Sequence, residues 1–202
     1  GGPSVKPHQP PGLWEAVSYD GELSYEPDRG AGLWRRSLYT FWKRQSPPPG
    51  LLAFDGPTRE TCVVRRPRTN TPLQALVLLN DVTYVAAARE LAENLLATEL
   101  GSSVKHTESG ESKNADRRRL AIGFRRITSR QPADSELDVL ATLLEKQRAR
   151  FATRPELARQ LLGLPATSSS TPAEHDRNVE QRAAWTVVVH AILNLDESIT
   201  RR

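Results

Sequence analysis

The sequence predicts a mainly α-helical protein: a single irregular multi-helix domain with an extended, proline-rich N-terminal arm and long loops. Three observations predict it. Apolar residues recur at three- and four-residue spacing through Tyr84, Val85, Ala88, Leu91, Ala92, Leu95 and Leu96, and again through Leu137, Leu140, Ala141 and Leu144. No strand–helix alternation repeats, and runs of β-branched residues are few. The 15 prolines and the 38% apolar fraction of the 202 residues leave a core drawn from about two-thirds of the chain, the rest being loops. About six to seven helices are expected on these patterns.

Residues 1–32 read as an extended arm, with a turn at Pro10-Pro11-Gly12 and with Trp14 and Tyr19 as anchors to the body. Residues 33–100 hold an aromatic helix, an arginine-rich segment and a helical hairpin. The aromatic helix spans Leu33–Arg44, because Trp34, Leu38, Phe41 and Trp42 share helical spacing and Pro47-Pro48-Pro49 stops what precedes it. After the arginines, Thr71 is the expected N-cap, Pro72 the first helical residue and Gln74 the returning amide of a capping box. The run Leu73–Leu79 is apolar all round, which predicts a buried helix. Asn80 and Asp81 break it and cap the second member of the hairpin.

Residues 101–115 are expected to be a flexible loop, since Gly101–Asn114 is polar and offers little to bury; His106 is expected in solvent there. Residues 116–202 form the helical remainder. Arg117–Ile127 places Leu120, Phe124 and Ile127 on one face, and its arginines are expected to pair in part with Glu136 and Asp138 on a helix begun by Asp134 or Ser135. Thr153-Arg154-Pro155-Glu156 predicts a second capping box, with Gly163 ending the short helix. A linker at 164–172 leads to a third box at Thr171-Pro172-Ala173-Glu174. The last long helix carries Ala183, Ala184, Trp185, Val188, Val189, Ile192 and Leu193 and is apolar enough to lie centrally. His190 on its flank is expected to be hydrogen-bonded in the core.

Several chemistries are excluded. There is no glycine-rich phosphate loop, GxSxG elbow or HExxH pair. Cys62 is the one cysteine, so neither an intrachain disulfide nor a cysteine metal site can form. It is followed by Val63-Val64-Arg65-Arg66, which is not a CxxCH haem attachment, and a chain without methionine cannot supply His/Met ligation. The histidines at 8, 106, 175 and 190 stand in no ligand spacing. No cofactor or metal is therefore expected in this chain. No apolar run reaches the ~18 residues of a membrane span. The start at Gly1-Gly2-Pro3 and the lack of methionine suggest a piece of something longer.

The one dense constellation is Asp55, Arg59, Glu60, Arg65, Arg66, Arg68 and Asn70. Charged groups stay out of cores unless paired. Asp55 and Glu60 could neutralise two of the arginines and lock the segment to the hairpin, making the cluster structural. Alternatively, guanidinium forks suit carboxylates, sulfates and phosphates, which suggests an anionic glycan. An enzymatic alternative uses Asp55 and Glu60 as the acid/base pair of a glycan-acting domain. Cys62 is a candidate nucleophile because nearby arginines favour a thiolate, but no histidine stands near it in sequence as a base, and a small buried hydrophobe is the plainer reading. The net charge of +4 and pI near 9.5 permit an anionic partner. Aromatic and basic residues interleave at 33–44, yet their shared face favours core packing over nucleic acid.

Arg35-Arg36-Ser37-Leu38-Tyr39-Thr40-Phe41-Trp42-Lys43-Arg44, Phe54-Asp55-Gly56-Pro57, Arg59-Glu60-Thr61-Cys62 and Arg65-Arg66-Pro67-Arg68-Thr69-Asn70-Thr71-Pro72-Leu73-Gln74-Ala75-Leu76 resemble the PSD-type planctomycete domain of unknown function. That is the C-terminal domain of large proteins often carrying a planctomycete cytochrome c-like domain. Phe124-Arg125-Arg126-Ile127-Thr128, Ala184-Trp185 and Leu193-Asn194-Leu195-Asp196-Glu197 are similar to its later motifs. Gly56 stands where a slightly larger residue is expected. The resemblance implies an exported, multidomain bacterial parent, with haem c in another domain and the parent's other domains as partners. It implies a structural or interaction module linked to polysaccharide use or electron transfer, not an activity.

Overall fold

The computed structural model of the chain describes residues 2–65, 67–98, 109–165 and 173–200, with backbone alone at 109–112 and 173–177. Among the described residues the α-helices are α1 Pro49–Ala53, α2 Pro72–Asn80, α3 Val82–Ala97, α4 Ser109–Thr128, α5 Asp134–Thr153, α6 Pro155–Leu161, α7 Ala173–Leu193 and α8 Asp196–Ile199. The protein is mainly helical, as its periodicity predicts. The chain divides into two compact units, Gly1–Val77 and Leu78–Arg202.

The second unit is a helix bundle built around α7. From Val179 onward most of this helix is buried: Ala183, Ala184, Trp185, Val188, Val189 and Ile192 are all essentially without solvent contact. A helix of that kind must be surrounded, and α3, α4, α5, α6 and α8 all pack on it. α3 supplies Ala88, Ala92 and Leu95, α4 Leu120 and Phe124, and α5 Leu137, Leu140, Leu144 and Phe151. Gly123 lets α4 come close to α3, since a Cβ there would lie 2.8 Å from Leu95 Cδ1.

Ion pairs fix the outer faces. Arg117 joins Asp138 and Asp134, and Arg130 binds Glu136 and Glu197, each at 2.6 Å. Asp116, itself buried, is held by Arg148 at 2.6 Å and Arg119 at 3.8 Å. The Arg130 guanidinium and then the Ala133 N–H hold the Glu136 carboxyl down to about 2. His190 Nε2 lies 2.6 Å from the Leu78 carbonyl in the last turn of α2, hydrogen-bonded as its flank position suggests.

Some boundaries differ from expectation. α4 begins at Ser109, so the polar residues 109–115 are helical; residues 101–108 of the expected loop, with His106, lie outside the described residues. The same holds for 166–172, and so for the Thr171 cap. At 153–156 no capping box forms. The Thr153 hydroxyl donates back to the Arg150 carbonyl instead, and Arg154 becomes the N-cap of α6 without a side-chain bond. Gly163 does end α6: at φ +66° its N–H bonds Gln160 while Leu164 N–H bonds Arg159, a Schellman closure. Asp81 alone joins α2 to α3, capping Thr83 N–H at 2.8 Å. One residue is shorter than the two to five of a usual hairpin loop.

The first unit is largely irregular. Trp14 is its centre, with Tyr25 edge-on at 5.1 Å, Phe41 tilted at 5.8 Å and the Lys43 and Lys6 ammonium groups 4.5 and 5.4 Å from its ring. Tyr25 donates to the Pro7 carbonyl; burial, then the Asp28 charge, pushes its phenol up to about 12. Tyr25 thus holds the arm where Tyr19 was expected to, and Tyr19 is fully exposed.

The expected aromatic helix at 33–44 does not form. Short 3-10 turns at Gly30–Trp34 and Ser37–Tyr39 flank extended residues, and Thr40 bridges to Val5. Val5 N–H donates to Tyr39 and Phe41 N–H to Val5, at 2.8 and 2.7 Å. Pairing with the N-terminal arm takes the backbone groups that a helix needs, and Trp34 and Leu38 are left exposed.

Candidate functional site

The sequence cluster at 55–70 lies within the first unit and takes its shape from the end of α1. Pro49 occupies the first turn of that short helix. Beyond the Phe54 cap, Asp55 takes a left-handed φ of +58°, its N–H bonding Leu52 at 3.2 Å, and Gly56 N–H reaches back to Leu51 at 2.7 Å. This is a Schellman closure with aspartate, not glycine, at the left-handed position, which Asp tolerates better than most residues. Gly56 follows because a Cβ there would meet the Leu51 carbonyl oxygen at 2.5 Å. A larger residue does not fit, contrary to expectation.

The aspartate side chain then closes the segment on itself. Thr69 donates its N–H to Asp55 Oδ2 at 2.9 Å and its hydroxyl to Oδ1 at 2.8 Å. The Thr69 hydroxyl accepts from Gln74 Nε2 at 3.0 Å. Gln74, 1% exposed, also accepts Thr71 N–H at 3.1 Å, while its own N–H bonds Thr71 Oγ1 at 3.3 Å. The capping box is formed as its Thr-Pro-Leu-Gln order predicts. The helix behind it is less buried than expected. Gln74 and Leu78 face inward, while Leu73, Leu76 and Leu79 are each at least half exposed.

The described residues of 56–68, all but 66, therefore lie on a surface loop whose two ends are fastened together, the geometry of an Ω-loop. On it Arg59 is exposed at φ +65°, its guanidinium stacked 4.7 Å from the Trp42 ring. Glu60, Cys62, Arg65, Arg68 and Asn70 are all exposed; Arg66 lies outside the described residues. The exposure of Cys62 overturns the reading of it as a small buried hydrophobe. Among the described residues the carboxylate of Asp55 is taken up by Thr69 and not by a guanidinium. Trp42, Thr69 and Gly56 are not among the candidate site residues that the sequence offers. The Phe-Asp-Gly-Pro order after an apolar turn was the available signal for the helix closure. Nothing local marks the partnership of Thr69 with Asp55. Among the described residues no three His, Cys, Asp or Glu side chains converge as metal ligands.

Residues 1–144 match the family PSD1, described as a protein of unknown function (DUF1553). The chain belongs to that family. The match takes in the whole first unit and with it the fastened loop, then α3, α4 and part of α5. It is narrower than the resemblance, which extended to Ala184-Trp185 and Leu193–Glu197. No curated protein and no solved structure matches. No helix among the described residues is long and apolar enough to cross a membrane.

Proposed function

We propose that this family member is a non-enzymatic interaction module that docks on an anionic partner through the loop at 56–68. On this reading it serves an exported multidomain bacterial protein, and any haem chemistry belongs to other domains of that parent. The observation that carries the proposal is the Asp55–Thr69 clasp. It holds the loop ends by their own hydrogen bonds, so the exposed Arg59 and Arg65 are not needed to fold the segment. Guanidinium groups kept in solvent on a preformed loop lose little entropy when an anion binds. An acidic face of a neighbouring domain or an acidic glycan would suit such charge.

The acid/base alternative draws little from the site. A glycosidase needs two carboxylates about 5–10 Å apart across an open cleft. Both oxygens of Asp55 already accept hydrogen bonds from Thr69.

Heparin chromatography of Arg59→Ala and Arg65→Ala tests the proposal. Each variant should elute at lower salt with its melting temperature within a degree or two of wild type, since exposed pairs contribute less than ~1 kcal/mol. Early melting with unchanged retention would reassign the arginines to structure.

A further inference from the structure

We infer that the anionic partner is a lipid surface, the loop at 56–68 seating on headgroups with Val63 and Val64 at its leading edge. The inference rests on the docking role proposed above and adds the partner's chemistry. Val63 is 48% and Val64 fully exposed, side by side near the middle of a loop whose ends are fastened at Asp55 and Thr69. Both are β-branched and stiff, so they lose little rotamer freedom on burial. Exposed Arg59 precedes them, and exposed Arg65 and Arg68 follow.

Charge by itself does not separate a lipid surface from a soluble polyanion; the valines do. A glycan offers guanidinium groups their sulfates and carboxylates but offers two adjacent valines nothing to bury in. An anionic bilayer offers both: phosphates at headgroup level and the acyl boundary a few ångströms below. Stable peripheral attachment takes two such signals, since neither a short apolar insertion nor a few cations holds firmly alone.

Cys62 makes the test direct. It is the one cysteine in the chain, exposed and adjacent to Val63. The full chain, labelled there with an environment-sensitive nitrobenzoxadiazole maleimide, is mixed with three probes at about 0.1 M salt, where the Debye length is about 10 Å. They are vesicles of equal parts phosphatidylglycerol and phosphatidylcholine, vesicles of phosphatidylcholine alone, and heparin. Unlabelled protein is co-sedimented in parallel, so that the label does not decide the result.

The expected outcome is a blue-shifted, brighter emission on the anionic vesicles only. Val63→Ser/Val64→Ser should lower partitioning about tenfold while heparin retention is unchanged. Arg65→Ala should lower binding to vesicles about fivefold. Heparin binding without a shift on anionic vesicles, or vesicle binding that survives the double serine variant, overturns the lipid assignment and leaves the docking role intact. Binding to neither heparin nor anionic vesicles overturns both.

Discussion

Thr69→Val is the perturbation on which the account of the loop depends most. The substitution keeps the shape and the backbone N–H, which continues to donate to Asp55 Oδ2 at 2.9 Å. It removes the hydroxyl that donates to Asp55 Oδ1 at 2.8 Å and accepts Gln74 Nε2 at 3.0 Å. A hydrogen bond to a charged group contributes about 1.5–3 kcal/mol, and a buried amide left without its partner costs about 1–3 kcal/mol. Gln74 is 1% exposed, so water cannot readily replace the lost acceptor. Thr69 itself is only half-buried, which argues for the lower half of the combined range, about 3 kcal/mol. Thr71→Ala is the control. It deletes one cap bond while Gln74 Oε1 keeps its hold on Thr71 N–H, and should cost about 1 kcal/mol. Urea unfolding in a Trp185→Phe background, followed by tryptophan emission, reads the first unit through Trp14, Trp34 and Trp42, because Trp185 would otherwise report the second unit; helical circular dichroism reads mainly the second. Following both signals guards against a transition that is not two-state. A Thr69→Val midpoint no lower than that of Thr71→Ala would show that the clasp does not hold the loop.

Gly56→Ala should destabilise the first unit by about 2 kcal/mol or more, because the Leu51 carbonyl it would strike is backbone and cannot swing aside; a melting curve like wild type would contradict this. Glu136→Gln should flatten the acid limb of the stability profile. The native carboxyl is held down to about 2 from 4.5, so its contribution is present above about pH 4.5 and lost as pH falls toward 2, by under ~1 kcal/mol for so exposed a pair. Acid titrations that superimpose for the two proteins would count against the Arg130–Glu136 bond. Gly123→Ala gains about 1 kcal/mol of helix propensity but overpacks Leu95, 1% exposed, by about 1–3 kcal/mol, so thermal unfolding should show net destabilisation near 1 kcal/mol, and a stabilised variant would mean that Leu95 yields.

The second unit was legible because its order is written at short range. The stripe from Tyr84 to Leu96, the apolar surround of Trp185 and the glycine at 163 each predict their element from residues a few positions apart. The places where expectation failed there are instructive in the same terms. Thr153 has the type and spacing of a cap, but its hydroxyl is spent on Arg150 in the preceding helix. The first unit was misread where long-range pairing overrode periodicity. Trp34, Leu38, Phe41 and Trp42 do share helical spacing, yet Val5, some thirty-five residues earlier in the chain, takes the backbone bonds at Tyr39 and Phe41. Leu73–Leu79 misled differently. A largely apolar run implies burial only if every face has a neighbour, and here the inward face is shared with Gln74.

The cluster at 55–70 shows both effects at once. Its arginines were conspicuous from composition, and the choice between an ion-pair lock and a binding surface turned on one question: what satisfies Asp55. Local reasoning offered arginines, the opposite charges nearest in sequence. The chain uses Thr69 instead, which stands fourteen residues from Asp55 and is neutral. A neutral donor pair has a consequence that a guanidinium would not. It fastens the loop without consuming a cation, and it does so through short side chains that fix both stems closely. Arg59 and Arg65 then stay in solvent with their charge uncompensated by Asp55, and the Arg59–Trp42 stack steadies one of them without neutralising it. A loop closed by salt bridges would be expected to loosen with salt as its partner also dissociates. One closed by threonine should keep its shape while its binding is screened, so shape and affinity can be measured apart on the same protein.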